Sequence, residues 1–264
     1  MRTSIHFATF FLIISSASAA LLGIFDSGLY NDNDFVRTAW LANDWVTLIV
    51  GLPLLVFAFL WRNYKSNLLY LGILSYFFYN YCFYLFGANF NKVFLLYVLI
   101  VSCSFFGLIG KAATLDIHRY DFNWKVGRWI SVFLLLLSVM LCIIEIPPCI
   151  DYIRSGRIPE LNLKTSHPTN IVYALDLSFI VPGMLIGSIL TLKNIRWGGI
   201  IVTMMLVKAV TYGCVLLAGT ISLMHRGERD PLLPVWIFIT GGGIFFLLLQ
   251  LVTLKVDLQR RAFA

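Results

Sequence analysis

Residues 167–220 read HPTNIVYALDLSFIVPGMLIGSILTLKNIRWGGIIVTMMLVKAVTYGCVLLAGT. Two apolar segments, 170–191 and 197–220, are joined by a short basic turn, and each is long enough to cross a bilayer as a helix. The first contains Asp176 and the second Lys208. A charged side chain inside a membrane costs at least ~2.5–3.5 kcal/mol, so it usually has a partner or a function. The pattern predicts a membrane-spanning helical hairpin in which each of the two charges has a partner or a function.

The rest of the chain continues this pattern. Of its 264 residues, 59% are hydrophobic and only 12% are charged, whereas a soluble domain has roughly 25% charged residues. Six further apolar segments are found at 5–25, 45–61, 67–86, 93–110, 129–146 and 234–254. The fold class is therefore expected to be all-α, a polytopic membrane bundle of about eight transmembrane helices. Residues 1–264 are expected to form a single transmembrane domain.

The first segment has two interpretations. Its basic start and the sequence Ala17-Ser18-Ala19 are also typical of a signal peptide with a cleavage site. Apolar residues continue to Phe25, however, which gives a length that can span the membrane. A retained helix is favoured, and cleavage near residue 19 stays open.

Polar residues, prolines and glycines predict where the helices begin, bend and end. Residues 26–44 form a polar loop in this interpretation, with Asn43 and Asp44 capping the second helix. A kink or break is expected near Gly51 and Pro53. Two consecutive prolines at 147–148 are expected to stop the fifth helix.

The distribution of basic residues predicts the orientation. Twelve Lys and Arg residues fall in the N-terminus, the C-terminus and the loops at 62–66, 111–128 and 193–196, against seven in the other loops. Because cytoplasmic loops are enriched in Lys and Arg, both termini are expected in the cytoplasm, with the protein in the plasma membrane. The net charge of +7 is thus a topology signal, and no nucleic-acid partner is expected.

A polar pocket in the outer half of the bundle is the main site hypothesis. Tyr76, Asn80 and Tyr84 recur every four residues and share a helical face. Asp176 lies about 9 Å below the outer end of its helix, and Lys208 lies near the membrane midplane. The ligand-binding residues are predicted to be Tyr76, Asn80, Tyr84, Tyr173, Asp176, Lys208 and Tyr212.

Plainer interpretations stand beside this hypothesis. Asp176 and Lys208 could simply neutralise one another and hold two helices together. Glu145 is interpreted as lying at the membrane surface beside the two prolines. The loop residues Asp116, His118 and Asp121 are expected to be solvated rather than metal-binding, and no metal or cofactor is predicted.

Three functions are open on these residues. The favoured one is the binding or transport of a small solute. An intramembrane enzyme acting on a lipid or an isoprenoid is the second, with Asp176 as its acid or base and Lys208 tuning it. The third is a non-catalytic subunit or scaffold of a membrane complex. A retinal protein is disfavoured because Lys255 lies at the inner end of the last segment. The expected partners are the lipid bilayer and a small solute or lipid, and the oligomeric state is open.

Three segments carry a resemblance. NIVYALDLSFIVPGMLIGSIL at 170–190, WVTLIVGLPLL at 45–55 and YFFYNYCFYLFG at 76–87 resemble a set of uncharacterised bacterial multi-span membrane proteins. The resemblance implies the helical membrane fold and no activity.

Overall fold

A computed structural model describes residues 2–61, 63–227 and 231–257 of the chain, with side chains from residue 5 onward. Eight helices in this part of the chain are long and apolar enough to cross a membrane. They are α1 (Arg2–Phe25), α2 (Asp34–Leu60), α3 (Tyr64–Gly87), α4 (Phe94–Ala113), α5 (Trp124–Ser155), α6 (Ile171–Leu192), α7 (Arg196–His225) and α8 (Leu233–Thr253). The chain is therefore a multi-pass, all-helical membrane protein, as the sequence predicts.

Several charges used to predict the orientation lie outside the described residues. These are the side chains of Arg2, Arg62, Glu228, Arg229, Asp230, Arg260 and Arg261. The helix order still assigns every connection to one of two ends of the bundle. We call the end with the loops at 61–63, 114–123 and 193–195 the basic end. The opposite end, with the loops at 26–33, 88–93, 156–170 and 226–232, is the acidic end.

The second helix begins at Asp34, eleven residues before the predicted start at residue 45. Asn33 is its N-cap, and its side-chain oxygen accepts a hydrogen bond from the Val36 amide at 2.9 Å. Asn43 and Asp44 are therefore buried helical residues, and the prediction that they cap the helix was wrong. The polar residues of this segment suggested a loop, although Val36 and Trp40 already mark a buried helical face.

The fifth helix does not stop at its prolines. It runs through Pro147 and Pro148 to Ser155 and ends at Gly156, whose φ of +71° is left-handed. Proline removes a backbone donor, but its fixed φ is compatible with a helix, and membrane helices tolerate such interruptions. The end predicted at residue 146 was therefore wrong by nine residues, about two and a half turns.

Two helices contain a π-helical turn. In α2 it covers Thr47–Gly51 and in α6 it covers Asp176–Ile180. Each turn starts six residues before a proline, Pro53 in one helix and Pro182 in the other. The wider turn relieves the clash between the proline ring and the carbonyl four residues earlier. The bend predicted near Gly51 takes this form.

The third helix is the centre of the bundle. In its most apolar stretch 83% of the residues are buried, against 22% in the corresponding stretches of α4 and α8. It packs against α4, α7 and the second half of α2. The hairpin of α6 and α7 is tight because Gly198 lies against the backbone of Thr191, where a Cβ would come within 2.2 Å.

A small sheet fastens the basic end. Strand β1 (Tyr120–Asp121) pairs antiparallel with β2 (Lys255–Val256), which follows the last helix. The Tyr120 hydroxyl donates to the Tyr64 carbonyl at 3.0 Å, and Arg196 donates to the Tyr120 carbonyl at 3.2 Å. One loop thus holds the starts of α3 and α7 and the end of α8 together.

Candidate functional site

The two charges of the α6–α7 hairpin meet inside the bundle. Lys208 Nζ lies 3.8 Å from Asp176 Oδ1, and each residue is only 6% exposed. Asp176 is the first residue of the π-turn in α6. At this distance the two groups form an ion pair without a direct hydrogen bond.

Aromatic rings complete the surroundings of the lysine. Lys208 Nζ lies 3.7 Å from the centre of the Tyr79 ring and 4.6 Å from the centre of the Tyr212 ring. The Tyr79 hydroxyl donates a hydrogen bond to Asp176 Oδ1. Cation–π contacts of this kind are worth about 2 kcal/mol or more when desolvated. The ammonium is thus held between a carboxylate and two ring faces.

A second carboxyl group lies beside this pair. Glu145 on α5 is 3% exposed and interacts with Asp176 and Lys208. Its Oε2 atom has no hydrogen-bond partner among the described residues. The interpretation of Glu145 as a surface residue was wrong, because α5 continues ten residues further to Ser155, about 15 Å of helix.

We call these five residues the Asp176–Lys208 cluster: Tyr79, Glu145, Asp176, Lys208 and Tyr212. It contains two carboxyl groups and one ammonium group, so its acids outnumber its base by one. Buried charge needs compensation in a medium of low dielectric constant. One more positive charge, either a proton shared by the two neighbouring carboxyl groups or a bound cation, would balance the cluster.

A separate carboxyl group is buried between α1, α2 and α3. Asp44 is 1% exposed, and it accepts hydrogen bonds from Tyr30 at 2.6 Å and from Tyr84 at 2.9 Å. Burial, reinforced by the neighbouring Asp44, raises the pKa of Tyr30, so this loop hydroxyl stays protonated and donates. Gly23 of α1 leaves the space for the carboxylate, since a Cβ there would lie 2.0 Å from Asp44 Oδ2.

The predicted face of α3 contacts this second carboxyl group and its neighbours. Asn43 Nδ2 donates to Asn80 Oδ1 at 2.9 Å, one helical turn from the contact between Tyr84 and Asp44. The Tyr76 ring packs against Gly51, where a Cβ would lie 3.0 Å from the ring. These three residues of α3 share a face, as the spacing indicates, and that face is turned to α2.

The structure thus divides the seven predicted residues between two places. Asp176, Lys208 and Tyr212 lie together, whereas Tyr76, Asn80 and Tyr84 lie around Asp44. Tyr173 is half-buried at the start of α6, and its electrostatic neighbours are Glu145, Cys149 and Glu160. In the described part of the chain, no hydrogen bond, ion pair or ring contact joins Tyr173 to Asp176 or Lys208.

Three residues of these clusters were missed. Tyr79 lies about 60° around α3 from Tyr76 and about 100° from Asn80, so it points to one side of the predicted face. Only its spacing of four from Phe83 hinted at a second aromatic face. Asp44 was assigned to a loop because the start of α2 was placed too late. Glu145 was placed at the surface because the prolines were expected to end its helix.

Two surface depressions of the described structure lie away from both clusters. These depressions are about 400 and 350 Å³ in volume and are lined by other residues. One lies between the end of α5 and the segment 157–160, and the other lies at 28–31 and 90–92, both at the acidic end. No group of three His, Cys, Asp or Glu side chains in the described ranges is placed to hold a metal ion.

No family model, no curated protein and no solved structure matches this chain. The resemblance to uncharacterised bacterial membrane proteins therefore stays a prediction, and the case for a function rests on the geometry of the clusters.

Proposed function

We propose that this protein binds and transports a small solute, with the Asp176–Lys208 cluster as its binding centre. We further propose that it resides in the plasma membrane with its basic end toward the cytoplasm. The observation that carries the proposal is the partnerless Oε2 of Glu145 beside a buried ion pair. An acid without a countercharge is costly in a membrane interior, and such residues often mark a ligand or proton pathway.

The excess carboxyl group suggests the class of solute. A small solute with one ammonium or other cationic group would neutralise the cluster and donate hydrogen bonds to Glu145. The rings of Tyr79 and Tyr212 would add cation–π attraction to such a group. A cationic solute is therefore favoured over an anionic one.

The π-turns suggest how the site would open. Transporter sites are often formed by interrupted membrane helices, and π-turns recur at functional positions. Asp176 belongs to one such turn, directly before Pro182. A change in this turn would move the carboxylate relative to Lys208 on the neighbouring helix.

The first test is a thermal-stability screen of the purified protein with small cationic solutes. We expect that at least one such solute raises the melting temperature of the wild type. It should also raise that of Glu160→Gln, the matched control, because this glutamate is exposed. The same solute should not raise the melting temperature of Glu145→Gln, which keeps the shape and removes the excess charge.

Uptake into proteoliposomes of the solute so identified provides the second readout. Transport by the wild type and by Glu160→Gln, with loss in Glu145→Gln, would support the proposal. The alternative result is that no solute raises the melting temperature of the wild type and that Glu145→Gln melts at a higher temperature than the wild type. The cluster would then only hold the helices together. That result would contradict the proposed function.

A further inference from the structure

The polar residues around Asp44 contain an unusual concentration of unpaired groups. Six buried side-chain atoms near this carboxylate have no hydrogen bond of normal geometry among the described residues, although the hydroxyl groups of Tyr76 and Thr47 interact with each other and that of Tyr97 interacts with Asn91 and Tyr30. The six atoms are Trp40 Nε1, Asn43 Oδ1, Thr47 Oγ1, Tyr76 Oη, Asn80 Nδ2 and Tyr97 Oη. Each of these residues is at least nine-tenths buried. Native proteins leave few such atoms unpaired, and ordered water usually accounts for them.

The kind of unpaired atom indicates what binds there. Trp40 and Asn80 offer donors, Asn43 offers an acceptor, and the hydroxyl groups can do both. A bare metal cation would be served by acceptors alone, whereas water uses donors and acceptors together. The mixture favours hydration of the cluster.

The charge of the cluster is not balanced by any basic side chain. The titratable groups that face Asp44 are tyrosine hydroxyl groups, and they come from the 26–33 loop, α3 and α4. These are Tyr30, Tyr76, Tyr81, Tyr84 and Tyr97. No Lys, Arg or His of the described ranges forms an ion pair with Asp44. An ionised carboxylate without a countercharge is strongly disfavoured at this depth.

A line of polar groups connects the carboxylate to the acidic end. Tyr30 contacts Asp44 directly, and the Tyr97 hydroxyl faces Tyr30, Asn91 and Asp32. Asp32 accepts a hydrogen bond from the Asn89 amide in the connecting loop. The line therefore reaches the loops of the acidic end, where water is present.

We propose that Asp44 and these polar groups form a hydrated proton-binding site. A hydronium ion at the acidic end gives its proton to a carboxylate oxygen of Asp44, which forms one O–H bond and leaves one water molecule. Release follows the reverse path. Water molecules on the unpaired atoms carry the proton between Asp44 and the loops. This site is distinct from the Asp176–Lys208 cluster and does not depend on its function.

Infrared difference spectroscopy tests this proposal on the full-length protein in liposomes. We expect a C=O stretching band of a protonated carboxyl group in the wild type that is missing from Asp44→Asn. Transfer to heavy water should shift the band, which reports hydration. Asp151→Asn, an exposed carboxylate of the acidic end, is the matched control and should keep the band. Glu145→Gln should keep it too, which separates this test from that of the proposed function.

A second pair of variants covers the case in which Asp44→Asn does not fold. Tyr84→Phe and Tyr30→Phe keep the carboxyl group and each remove one hydrogen bond to it. Each should move the band to higher frequency. A band that neither variant moves, or a wild type with no such band, would overturn the proposal. A band that appears only when sodium is replaced by choline would also overturn it, because the bound charge would then be a sodium ion.

Discussion

Lys208 owes its position to two different kinds of neighbour. Its ammonium is 3.8 Å from Asp176 Oδ1, and two tyrosine rings lie closer to it than a full hydration shell would allow. Such a lysine has exchanged water for fixed protein groups. Removal of a single partner should therefore strongly lower the stability of the fold, since the remaining charge stays buried.

Removal of the Lys208 charge should destabilise the protein. Lys208→Met should lower the free energy of unfolding by about 3–5 kcal/mol, because it leaves Asp176 without its cation. The double variant with Asp176→Asn should recover a large part of that loss. Reversible unfolding in mixed micelles measures both. Equal losses in the single and double variants would show that the two residues are not coupled.

Tyr79 allows its ring and its hydroxyl group to be separated. Tyr79→Phe keeps the ring over Lys208 and removes the hydrogen bond to Asp176, so we expect a loss of about 1.5–3 kcal/mol. Tyr79→Leu removes the ring as well and should cost more. The difference between the two variants in the same unfolding assay reports the contribution of the ring. A leucine variant as stable as the phenylalanine variant would rule out a cation–π contribution.

Sequence reasoning reached the residues whose position in an apolar segment is itself unusual. Asp176 and Lys208 stand out for this reason, and the structure brings them together. Tyr79 did not stand out, because an aromatic residue in an aromatic helix is unremarkable until its neighbours are known. Spacing along one helix shows which side chains share a face. It does not show which neighbouring helix that face contacts, because this depends on the tertiary structure.

At the scale of the elements, the sequence predicted the helices better than their ends. Apolar length identified all eight spans of the described chain, since bilayer thickness sets a minimum length. The start of α2 and the end of α5 were missed by eleven and nine residues. Both errors came from local signals, polar residues and prolines, that packing against neighbouring helices overrides. Those two errors hid Asp44 and Glu145.

A substitution at Gly23 tests the close packing of α1 against α2. Gly23→Ala should lower the free energy of unfolding by about 1–3 kcal/mol, because a Cβ would lie 2.0 Å from Asp44 Oδ2 and force α1 and α2 apart. Gly219→Ala in α7 is the control, because a Cβ there meets nothing within 4 Å. Alanine should be neutral or better there, by about 0.5–1 kcal/mol. Similar stability of the two variants in thermal unfolding would contradict the close packing at Asp44.

At the scale of the molecule, the two ends differ in construction. The basic end is fastened by the two-stranded sheet and by Lys65, which donates to the Leu251 carbonyl at 2.6 Å. The acidic end has longer connections, including the short helix Glu160–Thr165. We expect larger movements at the acidic end, where both surface depressions lie.

Cysteine labelling in whole cells tests the orientation. In a variant without the five native cysteines, Thr169→Cys at the acidic end should react with a membrane-impermeant maleimide in intact cells. Lys193→Cys at the basic end should react only after permeabilisation, because Lys- and Arg-rich loops stay in the cytoplasm. Both positions are exposed. The reverse labelling pattern would place the basic end outside.

The π-turns have a consequence for how this chain tolerates changes in length. A π-turn holds one residue more than the same stretch of α-helix, so Asp176–Ile180 contains a surplus residue. Because the wider turn absorbs the extra residue, deletion of that residue would convert the turn to α-helix and keep the helix on either side in about the same rotational register. Asp176 would stay on the side of Lys208, and Gly183 and Gly187 would keep their contacts with α7. The same deletion within the regular α-helix that follows would rotate the two parts of α6 by about 100° relative to each other, so this turn is the place where a lost codon would disturb the ion pair least.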